Sequence, residues 1–179
     1  MANLASGNGS DNAQALSLAT YVLGRRFEDV VAAANERLAV MSDGRYELVR
    51  SDEKEDVRSR AVGLAMRVVD HRTERARDPR TLSGGETFYV SLCLALGMAD
   101  VVTAEAGGVE LGTLFVDEGF GALDPHVLDQ VLAELGRLRH GGRVVGIVSH
   151  VEALKQAVAD RIEVRPTPGG PSTLTVLAG

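Results

Sequence analysis

Two apolar runs flank an amphipathic segment in the C-terminal half of the chain, and this succession constrains the fold more than any other feature. "LGTLFVDEG" (111–119) and "GRVVGIVSH" (142–150) are continuously apolar up to a polar tip, as in strands buried on both faces of a sheet. Between them, "HVLDQVLAELGRLRH" (126–140) repeats Leu and Val at helical spacing. Because a strand–helix–strand unit joins parallel strands, we predict an α/β fold with a mainly parallel sheet flanked by helices.

The segments on either side of this unit predict further elements. Residues 16–41 carry an apolar stripe at helical spacing, although Gly24 allows a kink or two helices. "RYELVRS" (45–51) and "GLAMRVVDH" (63–71) are predicted to be strands, and "RTERARDP" (72–79) a charged connection. After residue 150 we predict a short helix and two paired strands, at 151–159, 161–166 and 173–177.

Composition indicates a single globular domain. Apolar residues make up 45% of the 179 residues and charged residues 25%, while residues 1–13 are rich in Gly, Asn and Ser and are predicted to be a flexible loop before a domain at 14–179. The net charge of −6 argues against a surface coated in nucleic-acid contacts, but not against a local basic patch. No apolar stretch is expected to reach membrane-spanning length and no signal peptide is apparent, so we predict a cytoplasmic protein without a membrane partner.

"TLSGGETFYVSL" (81–92) precedes a long segment that is apolar almost all round, which predicts a helix buried on most sides. Ser83 and Glu86 have the spacing of a capping box, in which each satisfies a backbone N–H at the start of the helix. That motif does not require Gly84 and Gly85, which are costly in a first turn. The glycine pair therefore indicates that another group approaches the bare backbone there.

Polar side chains follow both predicted parallel strands. Asp117 and Glu118 end the first strand, and Ser149 and His150 end the second. Since the carboxyl ends of parallel strands meet at one edge of a sheet, these groups are predicted to converge. Asp117 could hold Mg²⁺, Glu118 could act as a general base toward water, and His150 could contact a phosphate or that water. Taken singly, acids at a strand end are often only solvated, and a lone His there is more often structural.

In chain order, "LSGGE", the strand ending in "DE", "ALD" and the strand ending in "SH" resemble the signature, Walker B, D-loop and H-loop of ABC ATPases. The resemblance implies that the signature helix directs its N-terminus at the γ-phosphate of ATP on the opposite head, where free N–H groups attract phosphate. It also implies a role for each matched residue. These roles are nucleotide contact by Ser83, Gly84, Gly85 and Glu86, Mg²⁺ binding by Asp117, water activation by Glu118, communication between sites by Asp124, and γ-phosphate sensing by His150.

The sequence lacks the Gly-x-x-x-x-Gly-Lys-Ser/Thr loop that cradles the phosphates, because neither Lys54 nor Lys155 lies in such a motif. The chain thus resembles half of a split head, as in the family of SbcC and the SMC proteins. "FVDEGFGALD" has Gly119 where transporter ATPases usually carry Pro, and this run and "GIVSHVEALK" (146–155) resemble SbcC. Residues 21–48 resemble the segment where a returning coiled coil enters the head, so residues 1–13 could also be a coiled-coil exit.

An SbcC resemblance implies the C-terminal half of an ATPase head that uses ATP and Mg²⁺. The implied partners are an N-terminal half carrying the P-loop, a second head that dimerises on ATP, an SbcD-type nuclease, and DNA bound without sequence preference. Alone, the chain is predicted to be inactive as an ATPase. The alternatives are an SMC- or RecN-like chromosome-organising ATPase half, a transporter nucleotide-binding domain, or a scaffold that has lost catalysis.

Four arginines precede the signature motif, and three interpretations of them stay open. They are a solvated loop, a phosphate-facing DNA patch, or an arginine switch that couples the signature helix to the rest of the head. The four residues are Arg72, Arg75, Arg77 and Arg80.

Overall fold

The structure is a computed structural model that describes residues 17–51, 65–107 and 112–178. Four α-helices lie in these ranges: α1 (Leu18–Met41), α2 (Gly84–Glu105), α3 (Pro125–His140) and α4 (Glu152–Ala157). Seven strands accompany them: β1 (Tyr46–Ser51), β2 (Ala65–Asp70), β3 (Arg75–Arg77), β4 (Thr113–Asp117), β5 (Val144–Val148), β6 (Arg161–Thr167) and β7 (Gly170–Leu177). Single 3₁₀ turns span Pro79–Thr81 and Phe120–Ala122. The predicted loop at 1–13 lies outside the described residues.

The strands form three sheets within the described ranges. β1, β2 and β3 are antiparallel in that order, β4 and β5 are parallel, and β6 and β7 form an antiparallel hairpin. The α/β class, the parallel pairing and the C-terminal hairpin are confirmed. The segment predicted as a charged connection is more ordered than expected, because β3 lies within it and a 3₁₀ turn begins at its last residue, Pro79. Helix α1 runs through the buried Gly24 without a break.

The core forms where α1 crosses α2. The apolar stripe of α1 is buried from Val30 to Met41, with Ala34 and Leu38 fully so, whereas Leu18, Tyr21 and Leu23 near the start of the helix are exposed. Gly97 of α2 lies against the buried part. A Cβ on Gly97 would lie 2.7 Å from the carbonyl oxygen of Val30 and 2.8 Å from the amide nitrogen of Ala34. The two helices therefore meet backbone to backbone. Cys93 is buried beside this crossing, where burial raises the pKa of its thiol to about 12.

A cluster of charged side chains also links helices α1, α2 and α3. The Arg37 guanidinium of α1 lies 2.7 Å from an Asp100 oxygen on α2 and 3.1 Å from a Glu134 oxygen on α3. Arg143, just before β5, approaches Asp100 at 3.4 Å. Glu134 is buried, and its carboxylate contacts both Arg37 and Arg137.

Helix α2 is less enclosed than its sequence predicts. Tyr89, Val90 and Leu92 are buried, but Met98 is 57% exposed and Val102 is 48% exposed. By length and composition α2 could cross a membrane, so the expectation that no stretch is long enough is wrong. The core helix of a soluble protein meets the same criterion, and α2 packs along α1 here.

Two apolar faces are left open by the described part of the chain. Val116, on one face of the β4–β5 pair, is buried in the core, whereas Phe115 on the other face is 72% exposed and Val144 is 62% exposed. The expectation of strands buried on both faces is therefore wrong for these residues. In the β6–β7 hairpin, Ile162 lies opposite Val176 and Val164 opposite Leu174. These four side chains are 63–66% exposed.

The helix crossing generates a stability prediction. Gly97→Ala should lower the free energy of unfolding by about 1–3 kcal/mol, because the added methyl group forces α1 away from α2. Gly136→Ala in α3 is the matched control, since a Cβ there meets nothing within 4 Å. Its better helix propensity should raise the free energy of unfolding by up to about 1 kcal/mol. Denaturant titration of both variants measures the two effects, and an equal response would contradict close helix packing.

Candidate functional site

The parallel pairing of β4 with β5 brings two predicted site residues together. Asp117 lies opposite Val148 in the ladder, and the Glu118 amide donates a hydrogen bond to the Val148 carbonyl at 2.8 Å. Beyond these ends, the Glu118 carboxylate lies 3.0 Å from Nδ1 of His150. The Glu118 side chain is 52% exposed and that of His150 is 81% exposed. A carboxylate and an imidazole thus share an edge that solvent and a ligand can reach.

The backbone at this edge has an unusual conformation. Glu118 has φ +59° and Gly119 has φ +93°, so two successive residues occupy the left-handed region. Glycine adopts it at little cost, but a residue with a side chain rarely does. The chain therefore turns sharply at the end of β4 into the 3₁₀ turn Phe120–Ala122.

Asp117 is an exposed carboxylate at the last position of β4. Among residues 17–51, 65–107 and 112–178, no three His, Cys, Asp and Glu side chains cluster closely enough to hold a metal ion. Mg²⁺ in phosphate-binding sites usually takes only one or two protein carboxylates, with phosphate and water completing its shell. The donor set at Asp117 therefore suits Mg²⁺ that arrives with a nucleotide.

The signature turn, which is residues 83–86 at the start of α2, is exposed to solvent at its first residues. Ser83 and Gly84 are exposed, and the predicted capping box is present. The Glu86 amide donates to Ser83 Oγ at 3.3 Å, and the Ser83 amide donates to the Glu86 carboxylate at 2.8 Å. Packing within this chain explains why position 85 is a glycine, because a Cβ there would lie 2.5 Å from the Ala122 carbonyl oxygen. Gly84 has no such close neighbour and leaves its backbone accessible.

Glu86 is also held by Tyr46 and Arg45, which the sequence did not single out, and by Arg77, which it did. Its carboxylate accepts a hydrogen bond from the Tyr46 hydroxyl at 2.5 Å and one from Arg77 at 3.2 Å, and Arg45 lies 3.6 Å away. Burial opposes ionisation of Glu86, but the hydrogen bonds from Tyr46 and Ser83 prevail and lower its pKa. Burial and the Glu86 contact raise the pKa of Tyr46 to about 12. The only sequence signal was the basic segment that contains Arg77.

The arginines of that segment separate into two kinds. Arg72, Arg75 and Arg80 are exposed, as expected for a solvated loop. Arg77 is partly buried, and its guanidinium lies 5.2 Å from the Tyr46 ring centre in addition to contacting Glu86. Arg77 thus has the contacts that the coupling interpretation requires, whereas the DNA-patch interpretation stays a prediction.

The D-loop candidate lies next to the signature turn. Asp124 caps α3 by accepting a hydrogen bond from the Val127 amide at 3.0 Å. A groove with a volume of about 290 Å³ is lined by Ser83, Gly85 and Asp124 together with Arg72. The structure therefore brings the signature and the D-loop to one groove, and Glu118 and His150 to one strand edge.

Known proteins resemble this chain in sequence and in fold. Residues 52–136 match the family model SbcC/RAD50-like, Walker B motif. Over 172 residues the chain is 47% identical to the SbcC component of nuclease SbcCD from Vibrio cholerae serotype O1, a match covering 95% of this chain and 16% of the relative. The same-named protein of Staphylococcus aureus strain JH9 is 42% identical over 165 residues, with 92% and 16% covered. The chain thus spans about a sixth of the length of these relatives.

Solved structures identify the fold. A chain from work on ATP-driven dimerization and DNA-stimulated activation of SMC ATPases matches with a TM-score of 0.65 and 14% identity, covering 89% of both chains. The Smc head domain of Pyrococcus furiosus, with an extended coiled coil and bound to the C-terminal domain of ScpA, matches with a TM-score of 0.64 and 18% identity, covering 89% of this chain and 37% of that one. The fold is that of an SMC head domain. The family model and the SbcCD relatives, which match 92–95% of this chain at 42–47% identity, show that the chain belongs to the SbcC/RAD50-like family.

Proposed function

We propose that this chain is the C-terminal half of an SbcC-type ATPase head. It supplies the signature, Walker B, D-loop and H-loop to a head whose ATP-driven dimerisation controls DNA-end processing by an SbcD-type nuclease. The observation that carries this proposal is the meeting of Glu118 and His150 at the ends of two parallel strands. An exposed Ser83–Gly84 turn on the same chain supports a second nucleotide contact, made to the opposite head.

The proposed chemistry assigns one task to each group. Glu118 takes a proton from the water that attacks the γ-phosphate, and His150 holds that carboxylate and contacts the phosphate. Asp117 would hold Mg²⁺, which would neutralise charge that develops on the phosphate oxygens. Ser83, Gly84 and Gly85 meet the γ-phosphate of the nucleotide on the opposite head, because the N-terminus of α2 presents free N–H groups there. In this proposal Glu86 orients the turn, and Asp124 links the two nucleotide sites.

The open apolar faces support a missing half. Parallel sheets are normally covered on both sides, and large exposed apolar patches mark binding surfaces. Here Phe115 and Val144 are exposed on one sheet and Ile162 and Leu174 on the hairpin. We propose that the half that carries the P-loop covers both faces. In the assembled protein, a cytoplasmic location and DNA binding without sequence preference follow from the SbcC-type assignment.

The first prediction concerns hydrolysis. The chain alone should hydrolyse almost no ATP, because it lacks the phosphate cradle, and activity should appear when the P-loop half of the same protein is added. Glu118→Gln should abolish that activity, since the amide cannot accept the proton. Glu152→Gln, at an exposed acid of α4, is the control and should leave the rate unchanged. Robust turnover by the pure chain, measured as phosphate release, would contradict the proposal.

The second prediction concerns the signature turn. Ser83→Arg in the complete head should block ATP-dependent dimerisation, because a long side chain then fills the position where the opposite nucleotide binds. Ser91→Arg is the control, since Ser91 is exposed on the same helix about two turns further on. Analytical ultracentrifugation with and without ATP measures the effect. Full dimerisation of the Ser83 variant would argue against a nucleotide contact made in trans.

The third prediction concerns the hairpin face. Leu174→Glu should weaken binding of the P-loop half by tenfold or more, because a charge is then buried in an apolar contact (about 1.4 kcal/mol per tenfold). Thr173→Glu is the neighbouring control, since its side chain belongs to the opposite face and lies across from Arg165. Titration calorimetry compares the two variants. Equal affinities would show that this face stays uncovered in the complete head.

An SMC- or RecN-like chromosome-organising ATPase half is the second candidate, because the solved structures with this fold are SMC heads. The two candidates differ in their partner. Purification of the full-length protein with a metallophosphatase nuclease supports the SbcC type, and its absence from the purified complex favours the SMC type.

A further inference from the structure

A contact between the signature helix and the turn after β4 is not explained by the roles assigned above. Phe88, in the second turn of α2, is partly buried, and its ring centre lies 4.9 Å from that of Phe120 with the planes tilted by 60°. The same ring occupies the space beside Gly119. A Cβ built on Gly119 would overlap the edge of the Phe88 ring and lie 3.1 Å from its Cγ.

The contact falls on the part of the backbone that sets the position of Glu118. Glu118 and Gly119 both have left-handed φ angles, and for a residue with a side chain, such as Glu118, this conformation persists only where the surroundings impose it. On one side, the Glu118 amide is fixed by its hydrogen bond to Val148 at 2.8 Å. On the other side, the Phe88 ring lies against Gly119. The turn is therefore held between strand β5 and helix α2.

This packing also explains the residue type at position 119. Proline is excluded because its ring fixes φ near −65°, far from the +93° found here. Alanine is disfavoured by the same φ, and in addition its methyl group would collide with Phe88. Gly119 and Phe88 thus form a matched pair, in which the absent side chain of one leaves room for the ring of the other.

We propose that Phe88 is a positioning residue for Glu118, and that it couples the signature helix to hydrolysis in the nucleotide site of its own head. The inference rests on the proposed function, in which Glu118 is the general base. Ser83 and Phe88 are five residues apart, about 8 Å along α2. A shift of the helix when Ser83 engages the opposite nucleotide is transmitted by the ring to Gly119 and thereby to Glu118.

A purely structural role for Phe88 makes a different prediction. If the ring only fills space, its removal lowers stability and leaves the turnover number of the folded protein unchanged. If it positions Glu118, its removal lowers kcat while ATP-dependent dimerisation persists, because the signature turn itself is intact. The separation of kcat from dimerisation therefore distinguishes the two roles.

The test uses the complete head, formed with the P-loop half, and compares variants by kcat, by the Kd of ATP-dependent dimerisation and by thermal midpoint. Phe88→Ala should lower kcat by about tenfold or more, since small misplacements of a reacting group have large effects on rate. Dimerisation should change by less than about twofold. Phe88→Leu, which keeps most of the bulk, should restore most of the rate. Leu94→Ala, six residues further along α2 and partly buried, is the control that lowers the thermal midpoint without lowering kcat.

Gly119→Ala tests the contact from its other side and stays informative if Phe88→Ala fails to fold. It should also lower kcat, and the double variant should lose less than the sum of the two single losses, because the ring that the methyl group strikes is gone. Additive losses would overturn a direct contact. An unchanged kcat in Phe88→Ala, with Glu118→Gln inactive, would overturn the inference and leave the proposed function standing. Hydrolysis that survives Glu118→Gln would overturn both.

Discussion

The site depends first on the parallel pairing of β4 with β5. That register sets Asp117 against Val148, so the residues that follow each strand emerge at the same edge. The Glu118 amide extends the pairing by one hydrogen bond, and His150 then meets the Glu118 carboxylate at 3.0 Å. Helix α3 forms the crossover connection that parallel strands require, and Asp124 caps its N-terminus. The parallel direction of the two strands therefore brings Glu118 and His150 together, and both side chains stay exposed.

Helix α2 connects that edge to the rest of the domain. At its N-terminus Gly85 allows the Ala122 carbonyl to approach, and one turn later Phe88 lies against Gly119. Further along, Gly97 admits the backbone of α1. Gly85, Gly97 and Gly119 thus lie where α2 or its Phe88 ring packs closely against another segment. Each of these contacts restricts the movement of α2 relative to the rest of the domain. The ion pairs of Arg37 hold α1, α2 and α3 in the same arrangement.

Much of this arrangement could be predicted from the sequence, because hydrophobic periodicity reports which element forms and the order of motifs reports what it carries. Periodicity could not reveal β3, which is three residues long and contains two arginines. It could not reveal that Phe115 faces outward either, because an apolar run looks the same whether its cover comes from this chain or from another. The contacts of Tyr46 and Arg45 with Glu86 join residues about forty positions apart, and no local pattern encodes such a distance. Gly85 was expected to serve a ligand, whereas it already accommodates the chain's own backbone.

The hairpin β6–β7 carries an exposed apolar face, which affects the tendency of this polypeptide to associate in solution. One face carries Ile162, Val164, Leu174 and Val176, while the other face alternates Arg, Glu and Thr. The hairpin is therefore amphipathic, with one apolar face and one polar face. Exposed apolar faces favour association, so we expect this chain, when produced by itself, to associate through the hairpin as its concentration rises. On the proposed function, production together with the P-loop half should therefore keep the chain dispersed as well as complete the ATPase head.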